Sequence, residues 1–144
     1  FYDSENDTWQ KASICQMGSD WRGIKGGQWV WVRDGVTKEE AITGTKKKLR
    51  LKFNLPSESA DSIRTAEMLL RSEDACHISV NDVRLVQEYG GAEYPDPFLI
   101  DIDQYVQVGD NTITFELVSY AKPDAKVPED NLVGLIYRLH VEYS

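Results

Sequence analysis

Two stretches of this chain alternate apolar and polar residues at every second position, and this pattern constrains the fold more than any other feature. The first runs from Lys46 to Leu55, where the alternate apolar residues are Leu49, Leu51, Phe53 and Leu55. The second covers 133–143, where they are Val133, Leu135, Tyr137, Leu139, Val141 and Tyr143. A period of two is typical of a β-strand with one face in the core. The first set, and the second set from Val133 to Val141, are therefore predicted to face the core between two antiparallel sheets, so that Phe53→Ala costs about 3 to 5 kcal/mol.

Shorter runs of the same kind fill the rest of the chain, with Gly, Pro, Asn and Asp between them. They predict strands at 28–33, 63–71, 76–80, 98–102 and 112–120, with a helical turn around 103–106. Asn81-Asp82 is predicted to form a two-residue hairpin turn, since both residues tolerate positive φ. No amphipathic helix longer than a turn or two is expected. The chain is predicted to be all-β, an antiparallel jelly-roll β-sandwich of about eight strands.

The length of 144 residues suits one domain, and the sequence has no internal repeat or low-complexity linker. We therefore expect a single domain over 1–144, with an irregular lead-in at 1–27 and the sandwich at 28–143. Trp9, Ile14 and Trp21 are the expected apolar anchors of the lead-in. The chain begins at Phe1 without a Met or a signal segment, so we expect it to be a processed or excised piece of a longer protein.

The charge of the chain argues against a nucleic-acid partner. The formal net charge is -8, which would repel a phosphate backbone. The sequence contains no run of 18 or more apolar residues, so membrane insertion is not predicted. A local exception is the basic cluster Lys46, Lys47, Lys48, Arg50 and Lys52, which we interpret as the solvated face of a strand. This interpretation predicts no salt-sensitive binding to an anionic polymer.

Several segments, in this order, resemble a known family. They are Trp29-Val30-Trp31, Phe53-Asn54-Leu55-Pro56, the run from Ala66 to Val80 leading into Asn81-Asp82, Phe98 to Ile102, Val108 to Thr112, and Gly134 to Tyr137. Over residues 28–143 the chain resembles the galactose-binding-domain-like jelly roll, especially the sugar-binding accessory domains of family 2 glycosidases and rhamnosidases. In that family the hairpin dipeptide is usually Asn-Gly, whereas Asp82 stands in place of the Gly here. Some of these domains bind sugars at a loop rim, and others only brace a catalytic domain.

The sequence does not favour catalysis. His77 and His140 fall on predicted strand faces, and no Gly-x-Ser-x-Gly elbow is present. Glycoside hydrolysis needs two carboxylates at a defined separation. Because the sequence has 24 acidic residues, the presence of such a pair would not by itself indicate catalysis. We therefore predict that the chain is not an enzyme.

Metal and disulfide sites are weakly indicated. Asp3, Glu5 and Asp7 have the spacing of a calcium loop, but Thr8 and Ile14 replace the required Gly and Glu, which excludes an EF-hand. No cofactor is expected, although the resemblance allows a structural calcium, to which Asp20, Asp34, Asp101 or Asp103 would contribute. Cys15 and Cys76 would form one disulfide in an exported protein or be two small buried residues.

A ligand site is predicted at the rim of the sandwich. Sugar recognition needs a flat aromatic ring beside hydrogen-bonding side chains. Two segments have this mixture, and their candidate residues are Trp21, Arg22, Tyr89, Glu93, Tyr94 and Asp96. Tyr89 and Tyr94 are expected to be exposed because their loop is rich in turn residues. Trp21 is alternatively a core residue.

The resemblance and these segments together suggest a noncatalytic carbohydrate-binding or glycosidase-accessory module, located outside the cell or on its surface. Its partner would be a carbohydrate, bound with micromolar to millimolar affinity, or a neighbouring protein domain. The alternative is a protein-interaction module of a surface assembly such as an adhesin, pilus tip or phage fibre.

Overall fold

The computed structural model describes residues 1–14, 24, 30–32, 37–56, 63–90, 97–128, 131 and 133–143. These residues form twelve strands and one helix. In chain order they are β1 (Tyr2–Asp3), β2 (Thr8–Trp9), β3 (Ser13–Ile14), β4 (Val30–Trp31), α1 (Lys38–Thr43), β5 (Thr45–Leu55), β6 (Ile63–Glu73), β7 (Ala75–Val80), β8 (Val83–Arg84), β9 (Tyr89–Gly90), β10 (Phe98–Asp101), β11 (Gly109–Ser119) and β12 (Gly134–Tyr143).

The long strands form two antiparallel sheets that pack as a β-sandwich. The β5 sheet has the order β5-β11-β7-β8, and β9 pairs with the other end of β7. The β6 sheet has the order β10-β6-β12-β4-β3. Strands β1 and β2 form a separate hairpin. The prediction of an antiparallel β-sandwich is confirmed.

Both period-two runs face the core, as their patterns predict. In β5, Leu49 and Leu55 are buried, and Leu51 and Phe53 pack half-buried against the core. In β12 and just before it, Leu135 and Val133 are buried, whereas the alternate residues Arg138, His140 and Glu142 are exposed. Because Phe53 keeps part of its surface in water, Phe53→Ala should cost less than the 3 to 5 kcal/mol expected for a fully buried ring.

Aromatic side chains join the two sheets at the centre of the core. The ring of Phe115 in β11 stacks on that of Tyr137 in β12, with centroids 5.6 Å apart and planes inclined by 30°. Phe115 is 1% exposed, and Trp31 of β4 is fully buried. Burial also raises the pKa of the Tyr137 hydroxyl. The Trp-rich segment therefore supplies a core residue and fixes β4 onto the β6 sheet.

The hairpin between β7 and β8 has the predicted turn. Asn81 has φ 48° and Asp82 has φ 67°, which are the left-handed values that a two-residue type I′ turn requires. Val80 pairs with Val83 across the turn. Asp82 therefore takes the place of the usual Gly without changing the connection.

The short helix α1 was not predicted individually, although its cap is visible in the sequence. Thr37 accepts a hydrogen bond from the backbone N–H of Glu40, and the Glu40 carboxylate accepts one from the backbone N–H of Thr37, both at 3.2 Å. This reciprocal pair is a capping box, which the spacing Thr-x-x-Glu indicates. Ala41 is buried, and Gly44 ends the helix at φ 80°. Among the described residues, no helix is long and apolar enough to span a membrane.

The lead-in is more regular than predicted. Residues Phe1 to Ile14 contribute the β1–β2 hairpin and strand β3, which pairs with β4. Trp21, one of the three expected anchors, and the Ile14 side chain lie outside the described residues. Trp9, the third expected anchor, is 36% exposed and does not belong to the core.

Candidate functional site

The outer face of the β5 sheet presents polar side chains in register across three strands. Thr114 of β11 lies opposite both Arg50 of β5 and Ser79 of β7. Glu116 lies opposite Lys48. Because the intervening residues of β11 are buried in the core, these side chains point away from it.

The β1–β2 hairpin packs across this face, against β5. Its ends are tied by two hydrogen bonds: the amino group of Phe1 donates to the Gln10 carbonyl at 2.7 Å, and the Gln10 N–H donates to the Phe1 carbonyl at 2.8 Å. Within its turn the Asp3 carboxylate accepts from the Asn6 amide at 2.8 Å. This last bond lowers the pKa of the Asp3 carboxyl group. The hairpin is thus a small, internally bonded unit.

Trp9 lies on the basic strand and not in the core. Its ring covers the guanidinium of Arg50, whose central carbon is 3.9 Å from the ring centroid. The Tyr2 ring is its cross-strand neighbour, with centroids 5.5 Å apart and planes inclined by 57°. Trp9 remains 36% exposed. The prediction of Trp9 as an apolar anchor is therefore wrong, because the aromatic ring finds a cation to stack on at the outer face.

A groove of about 750 Å³ opens beside Trp9, and we call it the Trp9 groove. Its described lining consists of one aromatic ring, three cations, two carboxylates, three hydroxyls and two amides. These residues are Trp9, Lys48, Arg50, Lys52, Ser79, Asn81, Asp82, Gln107, Thr112, Thr114 and Glu116. A flat ring beside convergent polar groups is the composition expected of a sugar site.

Amide side chains fix one end of the Trp9 groove. The Asn81 side chain donates to the Asn111 oxygen at 2.8 Å and accepts from the Thr112 N–H at 2.9 Å. Asn111 is 2% exposed, and its amide also donates to the Gln107 carbonyl at 2.7 Å. The pair, of which Asn111 is buried and Asn81 half-buried, therefore holds the turn after β7 against the start of β11 and positions the residues around it.

Three hydroxyls are available on the floor of the Trp9 groove. They belong to Ser79, Thr112 and Thr114, which follow the register of β7 and β11. Within the described part of the chain none of them makes a side-chain hydrogen bond. Since each hydroxyl can both donate and accept, all three are free to bind a polar ligand.

Charges in the Trp9 groove are only partly paired. Glu116 lies 3.9 Å from the Lys48 ammonium and 3.5 Å from the Arg84 guanidinium. Lys52 has no ion-pair partner among the residues that the structure describes. Glu116 is thus shared by Lys48 and Arg84, whereas Lys52 lines the groove without an ion-pair partner among the described residues.

A second depression of about 780 Å³ lies on the other side of the hairpin and shares Lys48 and Glu116 with the Trp9 groove. We call it the N-terminal depression. Its lining includes Phe1, Lys46 and His77. Partial burial and, to a smaller extent, the charge of Arg50 lower the pKa of the Phe1 amino group. His77 lies 3.0 Å from Glu88.

Tyr89, predicted to be an exposed ligand residue, is buried. It is 8% exposed, and its ring meets that of Phe98 edge-on with centroids 5.4 Å apart. Its backbone lies in β9, where it pairs with Cys76 of β7. The expectation of exposure is wrong because a sheet edge supplies the backbone partners that were expected to come from water. Burial raises the pKa of the Tyr89 hydroxyl.

The other predicted rim residues, Trp21, Arg22, Glu93, Tyr94 and Asp96, lie outside the described residues. The structure therefore does not test whether they form a site together. Asp20 and Asp34, two of the four calcium candidates, lie outside them as well. The other two are Asp101 and Asp103, and the Asp101 carboxylate accepts from the Asp103 N–H at 3.1 Å. The described residues contain no group of three or more potential metal ligands.

Nucleophilic chemistry has little support in the described residues. Cys76 is a free thiol with no exposed surface, and burial strongly raises its pKa. A thiol in this state is a packing residue, because the thiolate is the reactive form. Cys15 lies outside the described residues. His140 is exposed and lies 3.1 Å from Glu142.

Solved glycosidase structures contain a segment similar to this chain. An α-L-rhamnosidase of Streptomyces avermitilis in complex with L-rhamnose matches 92% of the chain with a TM-score of 0.60 and 19% identity. An α-L-rhamnosidase of Dictyoglumus thermophilum matches 93% with a TM-score of 0.52 and 16% identity. A β-glucuronidase of Bifidobacterium dentium in complex with coumarin-3-O-glucuronide matches 94% with a TM-score of 0.51 and 13% identity.

The present chain spans 12%, 14% and 28% of these three enzymes. At such identities the likeness establishes the fold. It confirms the predicted resemblance to a domain-sized part of glycosidases. No protein-family model and no curated protein matches the sequence.

Proposed function

We propose that this chain is a noncatalytic carbohydrate-binding module of a larger protein, working outside the cell or on its surface. The observation that carries the proposal is the Trp9 groove, where a partly exposed indole ring lies beside three hydroxyls that make no side-chain hydrogen bond within the described part of the chain. An aromatic ring covers the apolar face of a sugar, and hydroxyl groups on both partners exchange hydrogen bonds. The fold adds support, since similar segments occur within enzymes that act on glycosides.

A binding role fits the groove better than hydrolysis does. Glycosidases generally use two carboxyl groups facing each other across the scissile bond, one of which must carry a proton. In the Trp9 groove Glu116 is held between Lys48 and Arg84, and the other carboxylate, Asp82, is an exposed turn residue. The proposed role therefore needs no bound metal or cofactor and no reaction at this surface.

The predicted rim residues remain a separate proposed site for a glycan. Tyr94 would stack on a ring, and Glu93 or Asp96 would accept from sugar hydroxyls, with help from Trp21 and Arg22. Tyr89 drops out of this set because its ring is packed against Phe98.

The test is a glycan array on the 144-residue chain, followed by calorimetric titration of the glycans that bind. Trp9→Ala should weaken binding at least tenfold, since stacking on an exposed ring is lost. The matched control is Tyr120→Ala, which removes another exposed aromatic ring, 52% exposed, that does not line the groove. Equal binding by wild type and Trp9→Ala would contradict the proposed site.

A protein-interaction module is the second candidate, and exposed apolar residues near β8 favour it. Val86 is fully exposed and Val83 is 50% exposed. Apolar side chains exposed near each other are typical of protein contacts. Absence of binding to every glycan on the array would favour this role.

A further inference from the structure

The basic cluster of β5 gives the outer face of the β5 sheet a local charge opposite to that of the whole chain. The alternate residues Lys46, Lys48, Arg50 and Lys52 share this face. Successive members are about 6.8 Å apart along an extended strand. They form a column of cations that runs beneath the β1–β2 hairpin and connects the two depressions.

Cations are concentrated at these depressions. The described lining of both together holds six of the 16 Lys and Arg residues of the chain but only four of its 24 Asp and Glu residues. In a chain of net charge -8 this is the reverse of the overall composition. An anionic ligand approaching this face would therefore be attracted locally, although the rest of the surface repels it.

Most of the column lacks a carboxylate partner. Lys48 shares Glu116 with Arg84, and Arg50 stacks on Trp9 instead of pairing with an acid. Lys46 and Lys52 are exposed and have no ion-pair partner in the described part of the chain. Lys46, Arg50 and Lys52 therefore have no carboxylate partner in the described part of the chain, although the sequence contains 24 acidic residues. They are available to bind an anionic ligand.

We propose that the Trp9 groove binds an acidic saccharide, specifically a chain of uronic acids whose carboxylates lie along the column of cations. The proposal rests on the carbohydrate-binding role argued above and assigns the class of ligand. The Arg50 guanidinium suits a carboxylate because its planar fork of donors matches two oxygens. The hydroxyls of Ser79, Thr112 and Thr114 would bind the sugar hydroxyls between the charges.

The lining favours a uronic-acid chain over a nucleic acid. Nucleic-acid binding depends on neutralising many phosphates, whereas this face has only three cations without a carboxylate partner in the described part of the chain. Three hydroxyls and two amides in the groove match a ligand rich in hydroxyl groups. This departs from the sequence-based interpretation of the cluster as a solvated face without a ligand, since the sequence does not reveal that a hairpin with Trp9 covers part of it.

The test compares an oligogalacturonate with the same oligosaccharide after reduction of its carboxyl groups, by calorimetric titration of the whole chain. Binding of the acidic form should be at least tenfold tighter at 20 mM salt and should fall severalfold at 500 mM, because salt screens exposed charges. Lys52→Gln and Lys46→Gln should each weaken it about threefold. Lys38→Gln, which removes an exposed cation from α1, is the matched control and should leave it unchanged.

The outcomes separate this inference from the proposed function. Equal binding of both oligosaccharides, with loss in Trp9→Ala, would overturn the acidic ligand and leave the carbohydrate-binding role standing. Binding of dextran sulfate as tight as that of oligogalacturonate would also overturn it, since any polyanion would then suffice. Failure of both oligosaccharides and of the glycan array would overturn both proposals. Thermal melting of each variant verifies that it remains folded.

Discussion

The guanidinium of Arg50 and the indole ring of Trp9 are stacked 3.9 Å apart, from carbon to ring centroid, on the outer face of the β5 sheet. Arg50 belongs to the sandwich, and Trp9 belongs to the N-terminal hairpin. The contact therefore fixes the hairpin on the sheet and holds the ring at the edge of the Trp9 groove. Ring and cation together form the part of the surface best suited to a sugar.

Replacing Arg50 with Lys keeps the charge but removes the planar group that stacks on Trp9. We expect the free energy of unfolding to fall by no more than about 1 kcal/mol, as for an exposed cation–π pair. Binding of a glycan should weaken about threefold to tenfold because the ring loses its support. Urea unfolding and calorimetric titration measure the two effects. Unchanged affinity would show that the ring needs no such support.

Removal of the Tyr89 ring should affect stability before it affects binding. Tyr89→Ala is expected to cost about 3 kcal/mol, since it deletes a buried ring that packs on Phe98. Tyr89→Phe, the matched control, should cost under about 1 kcal/mol. Urea unfolding gives both values. A loss of glycan affinity in Tyr89→Phe would return the Tyr89 hydroxyl to the list of ligand contacts.

The hydrogen bond between Asn81 and Asn111 should contribute more to the free energy of unfolding than an ordinary surface hydrogen bond. Asn111→Ala leaves both backbone groups of Gln107 without their side-chain partner and removes one of the two acceptors of the Asn81 amide, so we expect a loss of about 2 to 4 kcal/mol. The double variant with Asn81→Ala should lose less than the sum of the two single variants, because both remove the same bond. If the double variant instead lost the full sum of the two single losses in the free energy of unfolding, the hydrogen bond between Asn81 and Asn111 would be contradicted. Chemical unfolding of the three variants gives these values.

Phe115 and Phe53 both alternate with polar residues in their strands, but they should contribute differently to the free energy of unfolding. Phe115→Ala is expected to cost about 3 to 5 kcal/mol because the ring is fully buried and stacks on Tyr137. Phe53→Ala should cost about 1 to 3 kcal/mol, since its ring is only half-buried. Chemical unfolding of both variants tests the order. A larger cost for Phe53 would place the centre of the core nearer that end of β5.

The sequence predicts the sandwich because its signals are local. Alternation in β5 and β12 reports which face of a strand is buried, and Asn81-Asp82 reports a turn through its tolerance of positive φ. The helix α1 also leaves a local signal in Thr37 and Glu40, which alternation alone does not reveal.

The candidate site depends instead on contacts between distant parts of the chain. Trp9 and Arg50 are 41 positions apart in the chain, and nothing in the pattern of either segment shows that they meet. The same is true of Asn81 and Asn111, although the sequence predicts Asn81 as a turn residue. Tyr89 shows the converse error, because its turn-rich neighbours indicate exposure while pairing of β9 with β7 buries it.

The most direct test of the account is to map the ligand site by NMR. A ¹⁵N-labelled chain would be titrated with the best glycan from the array, and the shifts of backbone and indole N–H signals would be followed. We expect the largest shifts at the Trp9 indole and at the backbone of Arg50, Thr112 and Thr114. Shifts confined to Leu99 and its neighbours on the β6 sheet, or to the rim residues Trp21, Arg22 and 91–96, would contradict a binding site in the Trp9 groove.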